Sequence, residues 1–240
     1  MAGPQILQAF ADRYPRAFFV EIGANDGEQH DHLRPLILAG EWRGIMVEPV
    51  PYVFERLREN YGGVTRVTLE NSAIAGEDGE LPFFHLGQAA EEDGDVPFWY
   101  HGLGSFSRET VLRHGRDIAD IERRLVATQV PCLTFDSLLA KHGVEFVDLL
   151  LIDTEGYDSE VLRLIDLERD RPHLLVYEHY HLAAADRWAT RQRLQDAGYR
   201  TLEEGFDTWC LGPQAAAPLH ELWPRMRPAV PGRSVYDEDR

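Results

Sequence analysis

Four short stretches of this chain carry the residues that could do chemistry, and each follows an apolar run. FVDLLLID (146–153) ends on Asp153, and IDTEGYD (152–158) then supplies Glu155 and Asp158. A carboxylate that closes a buried run must be paired, solvated or functional. YEHYH (177–181) adds Glu178, His179 and His181, which could crowd the same rim. His179 or a nearby carboxylate could take a proton from an acceptor hydroxyl. The cluster could also hold Mg²⁺, which favours carboxylate oxygens and water. Its spacing matches no all-protein metal motif, so no metal is expected to be required.

The other three stretches suit a nucleotide-like ligand. In EIGANDG (21–27), Gly23 permits a tight turn, and Gly27 permits close approach of a ligand or a helix. Glu21 lies two residues before Gly23, where a carboxylate could face a cationic amino group. Asn25 stands where a nicotinamide fingerprint needs its second glycine, which counts against an oxidoreductase. Glu48 follows the second apolar run, and a carboxylate there can accept both hydroxyl protons of a ribose. Pro49, Val50 and Pro51 offer an apolar wall for a purine. At Glu70-Asn71-Ser72-Ala73, a short polar side chain can hydrogen-bond adenine, although a turn-forming Asn is an equal reading.

These residues need strands to position them. Strands are expected at 17–22, 44–49, 64–75, 81–85, 125–133, 146–153 and 173–179, followed by a hairpin of 199–204 with 207–212 around Gly205. Helices are expected at 32–40, 52–60, about 108–124, just before Gly143, at 158–167 and at 187–199. Alternation of strand and helix implies an α/β fold with a mainly parallel sheet covered on both faces. In such sheets ligands sit beyond the carboxyl ends of the strands. Residues 87–124 carry no clear period until 108 and are expected to form a lid or acceptor segment. Trp99, Tyr100, His101 and Ser105 are its candidate contacts. The chain is expected to be one domain over 1–214, with a poorly ordered tail over 215–240.

The net charge of −17 makes nucleic acid an improbable partner. No apolar run approaches the length of a membrane span and the N-terminus lacks a signal pattern, so a cytoplasmic setting is expected. Cys132 and Cys210 form no metal-type or disulfide pattern and are expected as buried thiols. The sequence leaves the oligomeric state open.

FVEIGANDG, GIMVEPVPYVFERLRENY, NSAIAGEDGELPF, VPCLTFDSLL, LLLIDTEGYDSEVL, HLLVYEHYHL and DAGY run in order over about 18–211. Together they resemble the FkbM family of S-adenosylmethionine-dependent methyltransferases. The resemblance implies a Rossmann-like class I fold: a seven-stranded, mainly parallel sheet with an antiparallel last strand and helices on both faces. It implies that Glu21 to Gly27, with Asn25 and Asp26, hold the methionine part of S-adenosylmethionine. Glu48 would hold the ribose and Asn71 and its neighbours would lie by the adenine. Asp153 would lie near the transferred methyl. It further implies O-methylation of a sugar or natural-product hydroxyl, for which His179 is favoured as base over Glu155 and Asp153. Transfer to nitrogen, carbon or a carboxylate, and a non-catalytic binding protein of the same fold, remain open.

Overall fold

The apolar runs carry side chains that alternate between two cores, which is why they read as unbroken hydrophobic stretches. The structure is a computed structural model and describes residues 2–29, 31–89, 96–97 and 99–236. β1 (Phe18–Ile22), β2 (Arg43–Val47) and β3 (Val67–Glu70) are separated by α2 (Arg34–Ala39) and α3 (Pro51–Tyr61), after an opening α1 (Ala2–Arg13). β4 (Ala73–Ile74), β5 (Gly79–Leu86), β6 (Gly104–Ser105), α4 (Arg108–Leu112), α5 (Ile121–Arg124) and β7 (Leu125–Leu133) follow. The second half runs α6 (Phe135–His142), β8 (Leu149–Ile152), α7 (Asp158–Leu164), β9 (Leu174–Glu178), α8 (Ala184–Asp196), β10 (Arg200–Glu204), β11 (Asp207–Leu211) and α9 (Ala217–Leu222).

Seven strands form the main sheet in the order β10-β11-β9-β8-β1-β2-β3. β11 is antiparallel to both neighbours, and every other pairing is parallel. This is the class I topology that the resemblance implied. Phe19, Met46, Leu149, Leu151, Leu174 and Val176 face one core, shared with α1, α2, α3 and α9. Val20, Ile22, Ile45, Val47, Leu150 and Leu175 face the other, packed by α6, α7 and α8. β1 lies between β2 and β8, so the ends of these three strands converge at one edge of the sheet.

Several expectations need correction. The expected strand 64–75 breaks at Asn71-Ser72, and its second part, β4, joins a separate sheet of order β4-β7-β5-β6. β5 and β7 pair antiparallel along their length there, from Gly79↔Cys132 to Leu86↔Leu125. The expected helix 108–124 is interrupted: α4 passes into a 3-10 turn, and Asp120 adopts the left-handed region (φ +53°) just before α5. Residues 90–95 and 98 of the expected lid lie outside the described residues. From 215 onward the chain is docked up to 236, where Leu219, Trp223 and Met226 are buried in the first core. Residues 237–240 lie outside the described residues. Both cysteines are free and buried. Among the described residues no helix is long and apolar enough to cross a membrane.

α1 went unread in the sequence, and its anchoring is long-range. The amides of Ala2 and Gly3 donate to the two oxygens of Glu204, at 2.9 and 2.8 Å, and Ala229 N donates to Oε1 at 2.6 Å. Burial acts to raise the Glu204 pKa, but the three amides outweigh it and hold the carboxyl below its usual value. An orphan helix-terminal amide is costly when buried. Glu204→Ala should therefore destabilise the chain by about 2 kcal/mol in urea unfolding. A loss below about 0.5 kcal/mol would mean that α1 is held by its apolar face alone.

Candidate active site

The turn after β1 is fixed by a close approach that only glycine permits. Gly23 has φ +85°, and a Cβ there would lie 1.7 Å from the carbonyl oxygen of Asp153. The segments leaving β1 and β8 therefore run side by side. Asn25 also takes a left-handed backbone (φ +50°), and its amide donates to Glu48 Oε2 at 3.0 Å. The other Glu48 oxygen accepts the Val50 amide at 2.8 Å. One carboxylate thus ties the β1 turn to the β2 end.

A cleft enclosing about 620 Å³, including space open to solvent, lies where these ends meet. Gly23, Asn25, Glu48 and Pro49 line one side, with Ser72 and Ala73 beyond them. Asp153, Thr154, Glu155 and Tyr157 line the side of β8. Phe83, Gly102, Gly104 and Phe106 close it from the second sheet and its cap. Phe106 packs edge-on against Phe83 at 5.1 Å and tilted against Tyr157 at 4.9 Å, which joins the two sheets across the cleft.

Other candidates support this cleft without lining it. Asp26 accepts the amides of Glu28 and Gln29 at 2.9 Å and closes the turn. Gly27 (φ +67°) faces α3, where a Cβ would meet Leu57 and Tyr61 at 2.6 Å, so its role is helix packing. Asn71 donates to the carbonyls of Glu48 and Pro49 at 2.8 and 3.2 Å, bracing the end of β2. Its neighbour Ser72 faces the cleft, fully buried, with a hydroxyl that has no partner among the described residues. Glu21 is also buried with one oxygen unpartnered.

His179 is not at the cleft, which corrects the expectation that it acts as base. Side chains alternate along β9, so Glu178 and His179 point to opposite faces of the sheet. His179 is fully buried, and Nδ1 lies 2.8 Å from Thr208 Oγ1 on β11. Burial and the nearby Arg187 charge push its pKa down to about 4. His181, beyond the strand, is the histidine that reaches the rim. Its Nδ1 lies 2.7 Å from Glu178 Oε2 and 3.2 Å from Glu155 Oε2.

The four candidate lid contacts also turn inward. Tyr100 is buried, with its hydroxyl on the Gly87 carbonyl at 3.0 Å. Trp99 packs on His114 at 5.1 Å, and His101 Nδ1 lies 3.4 Å from Tyr52 Oη. Ser105 accepts the Ser107 amide at 3.2 Å. The cleft instead meets Phe83, Phe106, Thr154 and Tyr157, which sequence reading missed. The first two sit on or beside a sheet formed by long-range pairing, which leaves no local sequence signal.

Carboxylates dominate the electrostatics. Burial raises Glu48 to about 7, against the opposing pull of the Val50 and Asn25 amides. Asp153 is reached by water through the cleft yet is crowded by protein atoms. Burial and the Asp207 charge raise it to about 6. Burial first, then Asp31 and Asp153, hold Glu21 well above the usual carboxylate range. Burial and the Glu178 charge do the same to Glu155. Among the described residues no lysine or arginine lines the cleft. The site is therefore made to attract positive charge.

Comparison with known proteins agrees with this architecture. The family described as "Methyltransferase FkbM domain" matches residues 21–201. No curated protein matches the chain significantly. A solved methyltransferase FkbM from Methylobacillus flagellatus KT superposes with a TM-score of 0.50 at 15% identity, covering 82% of this chain and 44% of that one. This chain therefore spans less than half the length of that protein. An Aeropyrum pernix fibrillarin with natively bound S-adenosyl-L-methionine is similar at 11% identity and a TM-score of 0.42, over 86% of this chain and 74% of that one. With the family match covering most of its length, the chain belongs to the FkbM-domain methyltransferase family.

Proposed function

We propose that this chain transfers a methyl group from S-adenosylmethionine to a hydroxyl oxygen of a small molecule, a sugar or a natural product. The observation that carries the reading is the cleft strung between Glu48 and Asp153 across the Gly23 turn. Its unsatisfied groups suit S-adenosylmethionine, namely the buried Ser72 hydroxyl and the buried Glu21 oxygen. Glu48, whose oxygens each keep a free lone pair beside one amide, would take the ribose hydroxyls. Ser72 would meet the adenine beside Pro49 and Val50. Asp153, with Glu21 behind it, would face the cationic methionine end.

When bound, S-adenosylmethionine supplies an electrophilic methyl carbon. The chain's task is alignment, exclusion of water and disposal of the acceptor's proton. Phe83, Phe106 and Tyr157 give the cleft an aromatic wall. Glu155 lines the cleft and is coupled through His181 to Glu178, so proton-accepting groups border the acceptor space. That supports a hydroxyl acceptor. The strong negative charge, and the lack of lysine or arginine in the cleft among the described residues, favour a small neutral molecule over a nucleic acid.

Calorimetry with S-adenosylmethionine should show one saturable site, and Glu48→Ala should weaken it by at least about tenfold, the worth of a hydrogen-bonded charged group. Unchanged affinity would remove Glu48 from the site. With methyl-labelled cofactor, the label should enter hydroxylated acceptors as ethers. Label found only in amines or esters would contradict the oxygen assignment.

Asp153 gives a test through pH. Its folded pKa of about 6 lies above the ordinary value of 3.8, so the ionised form is disfavoured in the fold. Its contribution to stability is therefore lost as pH rises from about 4 through about 6. Without ligand, Asp153→Asn should melt higher than the parent at pH 8, and the gap should close towards pH 4. A gap independent of pH would contradict this.

A further inference from the structure

Glu155, Glu178 and His181 form a donor set whose spacing is that of a coordination shell. His181 Nδ1 lies 3.2 Å from Glu155 Oε2 and 2.7 Å from Glu178 Oε2, and one donor atom from each residue lies within 4.8 Å of the others. A divalent ion at about 2.0–2.2 Å from two adjacent donors holds those donors about 3 Å apart. The trio needs little rearrangement to do so. Glu155 sits at a left-handed residue (φ +52°), and Gly156 (φ +97°) lets the turn lie close to His181, where a Cβ would be 3.2 Å from His181 Cβ. Glu178 ends β9, with its amide 3.2 Å from Asp158 Oδ1.

The Nδ1 edge of His181 faces the two carboxylates, and the ring itself packs on His114. The His181 side chain is 9% exposed, and its Nε2 is buried with no partner among the described residues. The ring packs at 5.3 Å on His114, whose Nε2 is likewise buried and unpartnered. An imidazole buried with its only polar contacts inside the trio is held there by that trio. Among the described residues no lysine or arginine pairs with Glu155 or Glu178, which leaves one imidazole against two carboxylates.

We propose that Glu155, Glu178 and His181 bind one divalent transition-metal cation on the acceptor side of the cleft. Two carboxylates with an imidazole suit Mn²⁺, Fe²⁺ or Zn²⁺ better than the all-oxygen preference of Mg²⁺ or Ca²⁺. Glu155 also lines the cleft, so the ion adjoins the acceptor space. There it would bind the acceptor hydroxyl and lower its pKa, so that the proton would pass to solvent while the oxygen takes the methyl group and the bonding pair returns to the sulfonium sulfur. This catalytic role rests on the methyl-transfer reading, whereas metal binding does not.

The test uses Mn²⁺ added to the full chain after treatment with a chelator, followed by the loss of the free-ion EPR signal. One ion per chain should bind saturably. Glu178→Gln and His181→Asn should each weaken it by at least about tenfold. His179→Ala, which changes a buried neighbour outside the trio, should leave it unchanged. Pulsed EPR of the parent should show nitrogen coupling from an imidazole ligand, a readout that needs no variant. Calorimetry with S-adenosylmethionine on each variant shows whether it has folded. The proposal is overturned if a chain that binds S-adenosylmethionine retains no Mn²⁺ up to about 1 mM, if both variants bind it as tightly as the parent, or if no nitrogen coupling is seen. A chain that binds Mn²⁺ but not S-adenosylmethionine would keep the metal site and lose the methyl-transfer reading.

Discussion

The bare α-carbon of Gly23 against the carbonyl of Asp153 is the contact on which the site depends. Parallel pairing of β1 with β8 brings the two strand ends together, but any side chain at 23 would overlap that carbonyl. With the glycine in place, the 23–27 turn and the 153–157 turn become facing walls of one cleft. Glu48 then locks the geometry by accepting amides from both the β1 turn and the start of α3. A strand register, a glycine and one carboxylate thus define the pocket before any ligand enters.

Acids concentrate where the strands end, and burial keeps several of them reluctant to ionise. That arrangement costs stability in the empty protein and favours ligands that bring positive charge. A sulfonium cofactor on one side and a divalent ion on the other would each relieve part of that cost. The two proposals therefore share one electrostatic cause, and they meet at Glu155.

Much of the scaffold was legible because the central strands are buried on both faces. Their apolar runs, the glycine turn and the terminal hairpin left clear local signals. The separate sheet was not legible, because β5 and β7 pair across about 40 intervening residues and neither run announces its partner. The base was misassigned for a simpler reason. YEHYH reads as one rim, but the extended chain at the end of β9 sends Glu178 and the following His179 to opposite faces. Asn71 and Ser72 show the same limit. Both were readable as polar strand-end residues, and only the structure separates the brace from the group that faces the cleft. The apolar spacing of Ile6, Leu7 and Phe10 could have revealed α1, but its anchor on Glu204 lies about two hundred residues away.

The central claim is that one ligand-binding cleft lies at the joined ends of β1, β2 and β8. Adding S-adenosylhomocysteine to isotope-labelled chain and following its amide resonances tests this most directly. The account predicts saturable shifts at Gly23, Asn25, Val50, Ser72 and Thr154. No shifts, or shifts confined to the opposite ends of these strands, would contradict it.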